Sequence, residues 1–496
     1  MCLIASYFFL QSLLWTYNQQ FKETIPLLRS DSKFEPRFVK GWRFFRDATS
    51  VLHAGYTKYP SKAWRFLRAD TDLLVLPSKY VEELRSLPHS IASPTLAHAY
   101  NLSGSNTNMN IILKSNLHFR ALQERLTPNL NKLAQPMQEE LRYAMDLELP
   151  KREEWTPIKP YHTILRLVAR VSARIFLGVP LCRDEKWLEI STEFTENTFI
   201  TLVVLRLFPR YLHSLLGWFL PSAWRSTSYV RQAKRLLVPE IKRRQAATAK
   251  SETPDSNTDT LLSWMMEIAR KEERNPKDLA HLEVVISLAS IHTSQMNAVH
   301  ILYDLAEYPQ YLEPLREEIE TVIAEDGTWD TWDKNSYYKL KKLDSFMRES
   351  QRRNPPTLLS YHRIMQSDFV LEDGTLLKKG THITMAVNEI QNDKSVTPDP
   401  ESFDPFRYYR LRQEDGHNHL HQFATTEPNI LNFGHGKYAC PGRFFAALEI
   451  KTILVRLIMD YDWKLPDGQG RPENLMAHEF IFPNQDGILH MKARKL

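Results

Sequence analysis

A chain of 496 residues is long enough for one to three domains with sizeable cores, and 43% apolar with 25% charged residues is the balance of a globular body. It excludes a disordered, collagen-like or polytopic membrane protein, and a net charge of +5 is too mild to call for a nucleic-acid partner. Three cysteines, Cys2, Cys182 and Cys440, so few and so far apart, argue against a disulfide framework and for a reducing compartment.

The first segment, Cys2 to Trp15, is apolar and aromatic but shorter than the roughly 20 residues that span a bilayer. It lacks a basic start and a small-residue cleavage site, so residues 1–20 read as a single membrane-associating segment, either the remnant of an anchor or a shallowly inserted helix. Residues 63–67 and 73–76 flank Asp70-Thr71-Asp72 as a hairpin. Residues 88–110 are polar and rich in Ser and Asn, and read as a long loop. Helical periodicity then runs to about residue 350. Within it, 199–220 is too apolar for a solvated helix and reads as buried core, or as two helices whose outer face meets lipid or an access channel. Residues 246–260, AATAKSETPDSNTDT, read as a mobile surface linker. Strand signals return at His362–Val370 and His382–Val387, and 408–430 is loop-like. The expected fold is mainly α with small β-sheets near the two ends, and residues 21–496 form one domain.

The segment Phe433 to Gly442, FGHGKYACPG, carries the chemistry. A glycine-rich turn leads to Cys440, and an amphipathic helix follows from Arg443 to about Met459. A cysteine at a helix N-terminus meets unpaired N–H groups and the positive end of the dipole, which favour the thiolate. Gly434 and Gly436 allow a tight fold against a flat ligand, Gly442 allows the helix a close approach, and Phe433 can shield the sulfur from water. The bland alternative is a buried cysteine beside a turn.

Phe433, Gly436, Cys440 and Gly442 have the spacing of the cysteine-ligand loop of cytochromes P450, and the ending ACPGRFFA resembles fungal secondary-metabolism members of that family. Three further segments resemble the family in order. Glu349 and Arg352 share one face of a helix, Lys341–Arg353, that stops before Asn354-Pro355-Pro356; with Arg407, from the loop beginning Phe403-Asp404-Pro405, they resemble its buried charge network. Ala289, His292 and Thr293 lie in a long helix that Asn275 caps, that Pro276 opens, and that runs to about Glu307, roughly 45 Å at 1.5 Å per residue. The resemblance makes Ala289 the small residue that leaves room for dioxygen and Thr293 the proton-relaying hydroxyl. His292 stands where the family has an acid, and a histidine can also relay protons near neutral pH. Arg363, after Tyr361-His362, resembles the arginine that meets a haem propionate, and Tyr438 stands where an Arg or His usually does so. No Trp-x-x-x-Arg occurs within 113–126, which leaves Arg125 as a candidate there.

The resemblance implies haem b (iron protoporphyrin IX) between a long distal helix and the proximal cysteine loop and helix, with Cys440 as axial iron ligand. It implies a monooxygenase (oxidoreductase) that uses O2 and NADPH-derived electrons delivered by a membrane NADPH-cytochrome P450 reductase, which Lys437, Arg410, Arg412 and Arg443 are near enough in sequence to meet. The expected substrate is an apolar terpenoid, meroterpenoid, indole-diterpene or polyketide, walled by 88–112, 199–220, Leu288, Leu358, Leu359 and 480–482. A monomer at the endoplasmic reticulum membrane, facing the cytosol, is expected. The alternatives are a haem-thiolate isomerase or dehydratase needing no reductase, and a non-catalytic haem-binding protein. His417, His419 and His421 alternate in a loop without further support for a metal site, and Asn101-Leu-Ser103 matches an N-glycosylation acceptor.

Overall fold

The computed structural model describes residues 25–28, 37–151, 153–249 and 259–494. The expected membrane-associating segment, and residues 250–258 of the expected linker 246–260, lie outside the described residues, whereas 246–249 are not linker but the end of the helix Pro221–Ala249. Among the described residues no helix is long and apolar enough to cross a membrane.

Helices dominate, and the one that organises the rest is the central helix, Pro276–Glu307. Its start is set locally: the Asn275 side chain accepts from the Lys277 N–H at 2.9 Å, Pro276 takes the first turn and Asp278 meets the dipole. Pro309 denies it continuation. At 32 residues it spans about 48 Å, and it is buried nearly all round because it runs through the core. Against it pack Pro160–Phe176, Glu185–Leu205, Pro221–Ala249, Lys341–Arg353 and the cysteine helix Arg443–Asp460. Their inward Leu, Ile, Val and Phe form one large cluster, each such side chain contributing about 1.5–3 kcal/mol of burial.

The β structure forms small separate sheets. Trp64–Leu67 and Asp72–Val75 form the expected hairpin, and a five-stranded sheet continues through His382–Ala386, Leu359–Met365 and Ala92–Ser93. Only Asp72–Val75 with His382–Ala386 is parallel. Thr156–Ile158, Leu489–Ala493 and Tyr461–Lys464 form a second sheet, and Leu475–Ala477 with Phe480–Phe482 a small hairpin.

The mainly α fold with small sheets is as expected, but two local expectations fail. Residues 88–110 are not a loop: Pro94–Asn101, Gly104–Thr107 and Met109–Leu113 are helical turns. Ser93 accepts from the Leu96 N–H at 3.2 Å with Pro94 behind it, a start signal that outweighs the polar composition. The first late strand begins earlier, at Leu359, and ends at Met365. Asn101 is only 8% exposed, so its acceptor motif is inaccessible.

The apolar stretch 199–220 is both core and surface. Thr201, Leu202 and Leu205 are buried, then the chain turns through Arg210–Leu212 into His213–Phe219. Here Tyr211, Leu215, Trp218 and Phe219 stand out into solvent, Trp218 at 71% exposure.

Candidate active site

The cysteine loop is held from several sides. The Cys440 N–H donates to the Phe433 carbonyl at 2.7 Å, and the Thr127 hydroxyl donates to the Pro441 carbonyl at 3.3 Å. Phe433 packs edge-on to Phe423. Gly436 has φ +74°, and a Cβ there would lie 2.5 Å from Arg85 Cβ and 2.8 Å from its carbonyl oxygen. Its lack of a side chain therefore serves the approach of the loop to Arg85, rather than an approach to a flat ligand. At Gly442 a Cβ would meet nothing within 4 Å, so open space lies at the start of the cysteine helix.

Cys440 sits deep among protein atoms, yet the residue keeps accessible surface, the combination found in a residue that lines an internal space. The expected thiolate is opposed by that depth. Burial pushes the Cys440 thiol up, against the Gly442 and Arg443 N–H groups and the Arg443 guanidinium, which lower it. The helix terminus alone does not make this sulfur anionic; a bound cation would.

The central helix presents a matching opening. Among residues 279–306 nearly all are buried, but Ala289 and Thr293, one turn apart, are exposed. The Thr293 hydroxyl donates to the Ala289 carbonyl at 2.8 Å, the ordinary helix bond, while its other side is open. His292 does not share that opening. Its Nε2–H donates to the Thr192 carbonyl at 3.2 Å, and burial pushes its pKa down to about 4, so it is neutral and faces the Glu185–Leu205 helix. The proton relay expected of it is corrected accordingly.

Arg363 is 5% exposed and its guanidinium meets only the His362 carbonyl, at 2.8 Å, and the faces of Tyr361 and Tyr438, at 4.3 and 5.6 Å. No carboxylate pairs with it among the described residues. Two histidines that sequence reasoning passed over join it. His98 is surrounded by protein but open on one side, its pKa pushed to about 4 by burial and then by Arg363 and His118. His118, also held near 4 by burial, has a buried Nδ1 with no partner. His89 stacks edge-on against Tyr438 at 4.6 Å. A buried basic corner with no acid of its own suits a dianionic ligand such as the two propionates of haem. No sequence motif pointed to His98 or His118. Arg125 is elsewhere, paired at the surface with Glu267 at 2.8 Å.

Glu349, Arg352 and Arg407 do meet. Arg352 donates from Nε and Nη2 to the two Glu349 oxygens at 2.8 and 2.6 Å, and both residues are at most 1% exposed. The same guanidinium holds Asn392 and the Pro400 and Ser402 carbonyls. Arg407 Nε lies 3.6 Å from Glu349, and its other nitrogens donate to the Pro398 and Asp399 carbonyls. The network reaches the cysteine loop: Gln391 donates to the Arg352 carbonyl at 3.0 Å, and Asn432, next to Phe433, donates to Gln391 at 3.0 Å.

Other expectations are corrected. Leu358 and Leu359, each 1% exposed, pack into the cluster under the Trp64–Leu67 hairpin, while Phe199 contacts Phe480 and Phe482 edge-on. Arg412 is buried near Asp344, at 3.5 Å, and cannot face a partner, whereas Lys437 is exposed and Arg410 is exposed beside Asp404. His417 and His421 face each other at 3.4 Å, but no metal-holding group occurs among the described residues.

The comparisons agree with this geometry. The sequence profile of the family described as Cytochrome P450 matches residues 51–491. A cytochrome P450 monooxygenase of Emericella nidulans is 45% identical over 99% of this chain and 91% of its own. The monooxygenase olcJ of Penicillium canescens is 44% identical over 95% of this chain and 88% of its own. Ent-kaurene oxidase P450-4 of Gibberella fujikuroi is 35% identical over 95% and 93%. A deep cysteine that keeps accessible surface, an opening on the central helix, a basic corner without acids and these matches have one reading: the chain belongs to the cytochrome P450 family, as a haem b-dependent monooxygenase.

Proposed function

We propose that this enzyme oxygenates a rigid, apolar polycyclic skeleton of the terpenoid or indole-diterpene class, with Cys440 as the axial ligand of its haem. The observation that carries the substrate class is a cluster of three phenylalanines, which we assign to the substrate side of the haem. Phe199 meets Phe480 and Phe482 edge-on at 5.5 and 6.1 Å, and all three residues are partly exposed. Rigid edge-to-face rings favour a broad hydrocarbon face over a thin, flexible chain. A relative named for the oxidation of ent-kaurene supports the same class.

Bound haem supplies one-electron and dioxygen chemistry, which a thiolate ligand biases toward O–O cleavage. The chain's residues do the rest. Arg363 would offset the charge of the propionates, and the neutral His98 and His118 could donate hydrogen bonds to them. Ala289 leaves space at the central helix, and Thr293 Oγ1 holds a proton there. The Glu349–Arg352–Arg407 network, through Gln391 and Asn432, holds the loop that carries Cys440. Electrons come from NADPH through a flavoprotein reductase, for which Lys437 and Arg410 offer exposed positive charge. The open Thr293 favours oxygenation over a reductase-free rearrangement.

Reconstitution in vesicles with NADPH and the reductase, under labelled dioxygen, tests this reading. One labelled oxygen in diterpene or indole-diterpene substrates is expected, and turnover without reductase or a preference for polyketides contradicts it.

We also place the protein at the endoplasmic reticulum membrane with its catalytic body in the cytosol. Tyr211, Leu215, Trp218, Phe219 and Trp224 are 56–71% exposed within fourteen consecutive residues. Such a patch belongs at an interface between water and lipid. Trp218→Ser with Phe219→Ser is expected to lower co-flotation of the full chain with phospholipid vesicles several-fold. Unchanged flotation would assign membrane contact to other residues.

A further inference from the structure

The strand Phe480–Phe482 is preceded by an acid that so deep a position would ordinarily exclude. Glu479 is 2% exposed, and two arginines meet it from separate elements. Arg206, at the end of the helix Glu185–Leu205, donates to Glu479 Oε1 at 2.7 Å and to the Asn101 carbonyl at 2.9 Å. Arg68, in the turn of the Trp64–Leu67 hairpin, donates to the same oxygen at 3.1 Å and to both Asp70 oxygens at 2.6 and 2.9 Å. Arg68, Asp70 and Arg206 are buried as well, so two cations and two anions balance inside the protein. Burial opposes the charge of Glu479, yet Arg206 and Arg68 hold its carboxyl well below the usual carboxylate range.

The cluster lies against the three phenylalanines. The Arg206 guanidinium is 5.1 Å from the centre of the Phe480 ring. Phe199 and Arg206 are seven residues apart, which puts them on one face of their helix, about 10 Å apart. A single guanidinium therefore ties the helix that carries Phe199 to the strand that carries Phe480 and Phe482. Buried ion pairs add little net stability over apolar side chains of similar volume, but removing one partner alone is costly, so they admit few arrangements. Other bonds hold the same elements without touching the rings. The Leu358 N–H donates to the Glu479 carbonyl at 2.7 Å, and His478 Nε2–H donates to the Val203 carbonyl at 3.1 Å.

We propose that Arg206 and Glu479, braced by Arg68 and Asp70, are positioning residues that fix Phe199 and Phe480 against each other, so that the pocket selects a rigid apolar face over a flexible chain. The proposal rests on the assignment of these phenylalanines to the substrate side of the haem given above. The four charged residues do not touch the substrate; Arg206 and Glu479 act through the rings. Their effect falls on binding and its shape preference, and the chemical step is left alone.

Optical titration of the haem-loaded full chain with two imidazoles tests this. Clotrimazole carries three rigid phenyl rings and 1-dodecylimidazole one flexible chain, and both ligate haem iron through an imidazole nitrogen. Arg206→Met combined with Glu479→Gln removes one charge of each sign and leaves Arg68 paired with Asp70, so Tm and haem content should stay parental. The preference of this double variant for clotrimazole over 1-dodecylimidazole should fall by about three- to tenfold, the weight of one edge-on ring contact. Arg206→Lys, whose single ammonium cannot hold both Glu479 and the Asn101 carbonyl, should lie between parent and double variant. It decides alone should the double variant not fold. Phe480→Ala is the reference for the ring assignment. If it lowers the preference while both cluster variants match the parent, the cluster is only structural and the ring assignment stands. If Phe480→Ala leaves the preference unchanged, the ring assignment falls and the proposal with it.

Discussion

Cys440→Ser is expected to lower monooxygenation more than about 100-fold, beyond the 10–100-fold that outer partners of a metal site usually control, while the chain still folds. The thiol already resists ionisation, since burial pushes it up against two N–H donors and the Arg443 guanidinium. A serine hydroxyl, far less acidic than a thiol, would stay neutral there and give the iron neither charge nor the electron density of sulfur. Substitution at this position changes little else: the N–H bond to the Phe433 carbonyl and the Arg443 bond to the Cys440 carbonyl, at 2.8 Å, are both backbone bonds. Haem content, thermal stability and turnover measured together check this. A serine variant with parental turnover would remove Cys440 from the iron.

The second large effect is on folding. Arg352→Ala leaves Glu349 fully buried with the Asp404 N–H at 3.1 Å and Arg407 at 3.6 Å as its remaining partners. Removing one member of a buried pair costs about 3–5 kcal/mol, because the other charge stays behind without compensation. The variant also releases Asn392 and the Pro400 and Ser402 carbonyls at once. Because Gln391 ties the Arg352 carbonyl to Asn432, the loss should spread to the cysteine loop and appear as poor haem retention as well as a lower Tm. Arg352→Lys should rescue only part of it, since one ammonium cannot make the paired bonds to Glu349. Thermal unfolding and haem content check this; a parental Tm in Arg352→Ala would mean that the network carries little stability.

What the sequence makes legible is local. The Asn275-Pro276 start of the central helix, the Glu349 and Arg352 spacing, and the turn before Cys440 each depend on residues a few positions apart, and each forms as its neighbours dictate. The Ser93-Pro94 cap was equally local, but a run of Ser and Asn around it masked the signal. What was not legible depends on direction or on distant meetings. His292 shares a helical turn with Thr293, yet 100° of rotation takes it to the Thr192 carbonyl and away from the open face. His98, His118 and Arg363 form one basic corner only after three separate elements pack. The sulfur's ionisation is decided by the depth of the whole fold, which outweighs the helix terminus that the sequence reveals. Glu479 reads as one charge beside an aromatic strand until Arg68 and Arg206 are brought against it.

The most direct test of the account is the optical spectrum of the purified haem-loaded protein, ferric and then reduced under carbon monoxide, beside Cys440→Ser. Thiolate-type spectra in the parent, lost in the variant, are predicted, with a high-spin shift of the ferric parent on adding a diterpene or indole-diterpene. A parent spectrum typical of a neutral or nitrogen ligand, or one the serine variant shares, would contradict the assignment of Cys440 and the monooxygenase mechanism built on it.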